Sequence, residues 1–348
     1  MILCRGSYSF LTHCQKVGFG GSGLSSSLVA TIARQSIASS SNAVIGFVGL
    51  GRMGLPMAKN LANRTPSVVA FDSNPTACAE AMACNIQILD SVQAVGERQC
   101  DVLISMLPGD QAFDTVMTEW RELFARAGNT HKPQTILNCS TVSPSTSKKW
   151  QESYHLHGGH IVIDAPVSGG VKGATDGTLT FMVGCQSHED LDKVRPYLDI
   201  MGKQTFYCGP PGTGSATKLC NNLALAAQML GICEALSLGE ELGVDPVVLA
   251  SVMNTSTAKC WSSEVNNPHP AVAERMANKP PAANGYVGGF ATNLMLKDLN
   301  LALQAAREEN VALPLTSTTK ELYHLAQKHG LGDRDFGIVL SFLRGKSR

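Results

Sequence analysis

What most constrains the fold of this chain is the stretch VIGFVGLGRMG, Val44 to Gly54, in which a short apolar run stops on glycine and meets two more glycines at positions 51 and 54. Such a run has the form of a buried parallel strand, and Met53, Met57, Ala58 and Leu61 then follow at helical spacing. Further apolar runs recur at Val68 to Asp72, Asp101 to Leu107 and Ile136 to Ser140, each separated from the next by helix-length sequence. Strands alternating with helices imply right-handed crossovers and a doubly wound, mainly parallel α/β sheet. The runs IVIDAPV, TLTFMVG and TFYCG extend that sheet to about residue 208.

GLGRMG, comprising Gly49, Leu50, Gly51, Arg52, Met53 and Gly54, sits between the first strand and the first helix. There Gly49 permits a tight turn, Gly51 lets backbone approach a pyrophosphate, and Gly54 allows helix and strand to pack closely. Phosphates then rest at the positive end of the helix, so this is a Rossmann-type dinucleotide site. Asp72, at the end of the second strand, can accept hydrogen bonds from a ribose hydroxyl and would repel a 2′-phosphate. The following Ser73 and Asn74 supply no arginine to hold that phosphate, so the cofactor expected is NAD and not NADP.

Beyond Gly214 the pattern turns wholly helical, over residues 215–242, 246–255, 291–310 and 315–328. The expected organisation is a leader over 1–42, a Rossmann domain over 43–208 and an all-helical substrate and oligomerisation domain over 209–348. At the junction, GPPGTGSATKLCNN places Lys218 and Asn222 at i and i+4, on one helical face. No other charge follows until Glu234, so Lys218 is a lone cation on an apolar helix. Burial there would lower its pKa towards use as a base.

Two weaker signals accompany these. DAPVSGG, Asp164 to Gly170, ends a strand with the Ser168 hydroxyl and the unobstructed amides of Gly169 and Gly170, which can form a nest for a carboxylate. LMLKDL puts Lys297 and Asp298 into an apolar helix, and taken alone this reads as a solvated pair of neighbouring charges.

Formal net charge is zero with acids and bases interspersed, which argues against nucleic-acid or membrane-surface partners recruited by bulk charge. No uninterrupted apolar run is long enough for a bilayer. The eleven cysteines, Cys220 and Cys233 among them, read as reduced core thiols, and His155, His157 and His160 read as a polar turn, so no metal site is expected. Residues 1–42 carry Arg5, Lys16 and Arg34 with many serines, and the first acid of the chain is Asp72. That composition fits a mitochondrial transit peptide.

From Val44 to the carboxyl end the chain resembles the β-hydroxyacid dehydrogenase family. GFVGLGRMGLPMAKNL resembles its cofactor motif, DAPVSGG its substrate motif, GPPGTGSATKLCNN its catalytic motif and GGFATNLMLKDL its late cofactor-contacting motif. CWSSEVNNPHPAV and DFGIVLSFLR resemble the branch that acts on 3-hydroxyisobutyrate in mitochondrial valine breakdown. The resemblance implies Lys218 as general acid/base, Asn222 orienting substrate, and Ser168, Gly169 and Gly170 holding its carboxylate. It places Thr141 near the nicotinamide, Leu107 and Pro108 on the adenosine side, Phe290 against the cofactor, and Lys297 against cofactor or substrate. Ala112 stands where relatives often carry a polar cofactor contact, for which Asp110 would substitute. A small hydroxyacid substrate, the mitochondrial matrix and a homodimer or homotetramer are implied likewise. The rival readings are an NADPH-dependent glyoxylate or succinic semialdehyde reductase, which Asp72 opposes, and a dinucleotide-binding scaffold without turnover, which the intact Lys218 and Asn222 oppose.

Overall fold

The computed structural model describes residues 43–65, 67–127, 134–156 and 159–345. Strand β1 (Val44–Val48) pairs in parallel with β2 (Ser67–Phe71) and with β4 (Val102–Ser105), so the chain crosses to one side and then back past its start. The edge strand β3 (Gln87–Ile88) lies beyond β2, and β5 (Thr135–Asn138) and β6 (Ile161–Asp164) extend the parallel run beyond β4. Then the direction reverses: β8 (Leu179–Gly184) is antiparallel to β6 and to the two-residue β7 (Val167–Ser168), and β9 (Gly202–Gly209) pairs in parallel with β8. The order β3-β2-β1-β4-β5-β6-β8-β7, with β9 on β8, is the doubly wound, mainly parallel sheet that the alternation of strands and helices predicts.

Among the described residues, seven helices connect these strands: α1 (Gly54–Ala62), α2 (Pro75–Met82), α3 (Val92–Glu97), α4 (Asp110–Ala127), α5 (Pro144–Leu156), α6 (Gly170–Asp176) and α7 (His188–Met201). Apolar side chains fill both sheet faces, with Ile45, Phe47, Met57 and Leu61 in one cluster and Leu103, Phe113, Trp120 and Trp150 in the other. Burial on both faces is why the parallel strands read as continuous apolar runs.

After Gly209 the chain is helical: α8 (Thr213–Glu241), α9 (Pro246–Thr255), α10 (Trp261–Glu264), α11 (Pro270–Ala273), α12 (Thr292–Glu308), α13 (Pro314–Ala326) and α14 (Val339–Leu343). A short 3-10 turn, Pro281–Asn284, sits inside the segment whose prolines and glycines predict a loop. Helix α8 is the spine of this region, carrying Met229, Cys233 and Leu236 into a core shared with Met295, Leu299, Tyr323 and Phe336.

Helix α8 stands out by its composition, and two expectations change. By length and composition α8 is apolar enough to cross a membrane, although the sequence shows no uninterrupted apolar run; its inner face packs on protein. Cys220 is exposed, and only Cys100, Cys139, Cys185 and Cys233 of the described thiols are buried. His160 is no turn residue: it is buried, its Nδ1 accepts from the Gln134 amide at 2.9 Å, and its ring stacks on Phe124. His157 and residues 1–42 lie outside the described residues.

Candidate active site

The glycine loop is built by contact. Gly49 has φ +96°, and a Cβ there would stand 2.2 Å from the Met106 carbonyl oxygen. A Cβ on Gly54 would stand 1.9 Å from the Gly49 carbonyl oxygen, so α1 rises directly off the turn. At Gly51 a Cβ would meet nothing within 4 Å, so the space is open at the position where the glycine spacing predicts a diphosphate. Helix α1 begins without a side-chain cap and without an acid in its first turn, leaving its amino end suited to an anion. Asp72 is drawn into the loop: its Oδ2 accepts from the Leu50 amide at 2.5 Å and its Oδ1 from the Asn74 amide at 2.7 Å. Each oxygen keeps a lone pair for a ribose hydroxyl.

From this loop a strip of contacts runs to the face of α8 that carries Lys218 and Asn222. Gly49 abuts Leu107, whose amide donates to Ser140 Oγ at 2.8 Å, while Pro108 is exposed beside it. The Lys297 stem passes next to Gly109, and its Nζ donates to the Thr141 carbonyl oxygen at 2.9 Å. The same ammonium lies 3.1 Å from Asp298 Oδ1, and Asp298 Oδ2 accepts from Asn222 Nδ2 at 2.6 Å. Asp298 is therefore not a solvated charge: it is 3 % exposed and tied to the face of α8 that carries Lys218. On a helix, adjacent residues point about 100° apart, so Lys297 can reach the sheet while Asp298 reaches α8.

Lys218 is 9 % exposed and Asn222 2 %. Burial lowers the Lys218 pKa from 10.5 to about 8; the Asp298 carboxylate opposes that shift and the Lys297 ammonium adds to it. An amine with that pKa is substantially neutral at mildly alkaline pH and can take a proton.

The Ser168–Gly170 turn stands at the head of α6, with φ +134° at Gly169 and +60° at Gly170, and both glycines are exposed. Its link to Lys218 is Asp164, which sequence reasoning treats only as the first letter of a motif. Asp164 ends β6, is 2 % exposed, and accepts from the amides of Gly212 at 2.7 Å and Ser215 at 2.8 Å, just ahead of Lys218. Burial raises its pKa to about 6 against those hydrogen bonds.

Phe290 stacks edge-on against Phe336 at 6.0 Å, and its amide donates to Asp335 Oδ2 at 2.9 Å. Asp110 is already engaged: its Oδ1 accepts from both the amide and hydroxyl of Ser143, at 3.0 and 2.8 Å. These bonds occupy one of the two carboxylate oxygens of the residue expected to substitute at Ala112. Among the described residues no three acidic, histidine or cysteine side chains gather as a metal site.

Two family profiles match in tandem. Residues 44–209 match the NAD binding domain of 6-phosphogluconate dehydrogenase. Residues 212–343 match a domain described as NAD-binding of NADP-dependent 3-hydroxyisobutyrate dehydrogenase. The Homo sapiens mitochondrial 3-hydroxyisobutyrate dehydrogenase is 38 % identical over 321 residues, covering 90 % of each chain. An NAD-dependent L-serine dehydrogenase of Pseudomonas aeruginosa is 40 % identical over 85 % of this chain and 96 % of its own. Among solved structures, a Mycobacterium tuberculosis 3-hydroxyisobutyrate dehydrogenase described with L-serine superposes with a TM-score of 0.79 at 35 % identity, over 87 % of this chain and 99 % of that one.

Proposed function

Since the chain belongs to the β-hydroxyacid dehydrogenase family and is an NAD-dependent oxidoreductase, we propose that it oxidises the primary alcohol of 3-hydroxyisobutyrate to methylmalonate semialdehyde. The observation that carries this reading is Lys218, a buried amine with its pKa drawn down to about 8 on the same helical face as Asn222. When bound at the glycine loop, NAD⁺ supplies the acceptor for the hydride that leaves the alcohol carbon. Lys218 Nζ takes the hydroxyl proton as the hydride departs, which needs the amine neutral beforehand. Asn222, held by Asp298, keeps a fixed amide beside that hydroxyl, and the Ser168–Gly170 turn holds the substrate carboxylate by hydroxyl and backbone N–H donors. Lys297, bonded to Thr141, would close the cofactor side, and the family resemblance assigns Leu50, Arg52, Met53, Leu107, Pro108 and Phe290 to line it. Asp72 selects NAD, although one matching profile is described for an NADP-dependent enzyme.

A second substrate, L-serine, is favoured by the Pseudomonas aeruginosa relative and by the superposing structure. The two compounds share the carboxylate and the primary alcohol and differ at the intervening carbon. Steady-state assays of both, each with NAD and with NADP, test the reading. It fails if neither is oxidised, or if Lys218→Ala turns over at the wild-type rate with NAD still bound.

The domain division at residues 208 and 209 belongs to the same proposal: the last strand ends at Gly209 and α8 begins at Thr213. The relatives named as mitochondrial, together with the serine-rich, acid-free stretch 1–42, support a mitochondrial enzyme, and we assign it to the matrix. Exposed Leu238, Leu242, Val248 and Val252 at the far end of α8 and on α9 support a homodimer or homotetramer, which a solution mass would test.

A further inference from the structure

Helix α8 starts without the capping that a 29-residue helix ordinarily carries. Its N-cap is Gly212, at φ +89°, which has no side chain to accept the first free N–H groups, and no acid lies in the first turn. The missing cap comes from another element, since Asp164 receives the Gly212 and Ser215 amides on separate oxygens. The fit leaves no room for adjustment. A Cβ on Gly184 would stand 2.6 and 2.8 Å from the two Asp164 oxygens, and a Cβ on Gly214 would stand 2.2 Å from the Met182 carbonyl oxygen. Ser215 is fixed from a third side, with its Oγ 3.0 Å from Ser147 Oγ on α5.

Asp164 thus stands between the two arms of the candidate site. Four residues after it in sequence comes Ser168, and three residues after its partner Ser215 comes Lys218. We propose that Asp164 is a positioning residue for hydride transfer: one buried carboxylate sets how far the Lys218 amine stands from the turn that holds the substrate carboxylate. The proposal rests on the dehydrogenase reading and adds to it a residue that touches neither substrate nor cofactor.

The chemistry of the cap makes Asp164→Asn a specific test. Both oxygens accept from N–H donors, so an amide of the same shape must turn its own NH₂ towards either Gly212 or Ser215 and lose that bond. The expected result in the folded full-length variant is NAD affinity as in wild type, KM nearly unchanged and kcat lower by about 10–100-fold, the scale of a small misplacement of a reacting group. A merely structural role would not move the titration of Lys218, so its labelling rate with acetic anhydride is measured against pH by mass spectrometry. Wild type should show a midpoint near 8, and the variant, with water admitted around the amine, a higher one. A folded Asp164→Asn chain with wild-type kcat and wild-type labelling overturns the proposal. If Asp164→Asn does not fold, Asp164→Glu decides, because it keeps the charge and both acceptors while displacing them by one carbon: lowered kcat with a raised midpoint supports the role, and wild-type values overturn it. Should the wild-type chain oxidise no 3-hydroxy acid, the functional reading fails, and the labelling profiles still decide the role of Asp164.

Discussion

Asn222 donates from Nδ2 to Asp298 Oδ2 at 2.6 Å, joining α8 to α12 across 76 residues of sequence. The bond is charge-assisted and buried, and such bonds contribute about 1.5–3 kcal/mol. Asp298 also holds the Lys218 pKa up against burial. Replacing Asp298 with Asn should lower kcat/KM by about tenfold or more and move the alkaline rise in activity to lower pH, because the opposing anion is gone. A pH profile of kcat/KM checks both, and a rise displaced to higher pH would contradict the electrostatic assignment.

Lys218 sets a second expectation. With the amine as base, kcat for oxidation should climb as pH passes through about 8 and then level off. Lys218→Ala should cost about 10²–10⁴-fold in kcat, and Lys218→Arg, charged at every accessible pH, should not restore it. For stability the sign is fixed by a folded pKa below the unfolded one. Between about 8 and 10.5 the unfolded chain binds more protons, so this group makes the fold more stable as pH rises through that window. Below 8 the buried charge is a standing cost, so Lys218→Met should raise stability at pH 7, by about 1–3 kcal/mol, in thermal or urea unfolding.

Glycines of the cofactor loop should separate folding from binding. A Cβ on Gly54 collides with the Gly49 carbonyl, so Gly54→Ala should lower the Tm and abolish NAD binding together. A Cβ on Gly51 meets open space. Gly51→Ala should change stability by no more than about 0.5 kcal/mol while raising the KM for NAD, since the methyl fills the approach to the pyrophosphate. Calorimetry and cofactor titration on the two variants would show whether this contrast holds.

Asp72 should decide between cofactors. With its carboxylate removed and a cation supplied, Asp72→Ala combined with Ser73→Arg should move the ratio of kcat/KM for NAD over NADP by about 10²-fold or more towards NADP. The single Asp72→Ala variant should also lose the hold on the Leu50 amide and bind both cofactors weakly.

Local chemistry made the glycine loop legible in sequence: strand, turn and helix occupy adjacent residues, Gly54 answers a contact with Gly49, and Gly49 answers one with Met106 just past the neighbouring strand. Lys218 and Asn222 were legible for the same reason, being one turn apart on one helix. Asp298 and Asp164 were not, because the partners that bury them lie 76 residues away in one case and 48 and 51 in the other. Cys220 was misplaced because α8 is apolar nearly all round, and such a helix does not announce which side faces the core. The reversal at β8 was equally silent, since the period of a strand is the same whichever way it runs.

The bond between Lys297 and Thr141 closes a loop of 156 residues, and it has a consequence for how this protein comes into being. Chains grow from the amino end, and a sheet with its glycine loop can collapse while the remainder is still being made. The proposed chemistry has to wait for α12. A nascent or truncated chain that ends before Lys297 lacks both the ammonium that bonds Thr141 and the carboxylate that holds Asn222, so on the proposed reading the glycine loop can form well before the residues that complete the site.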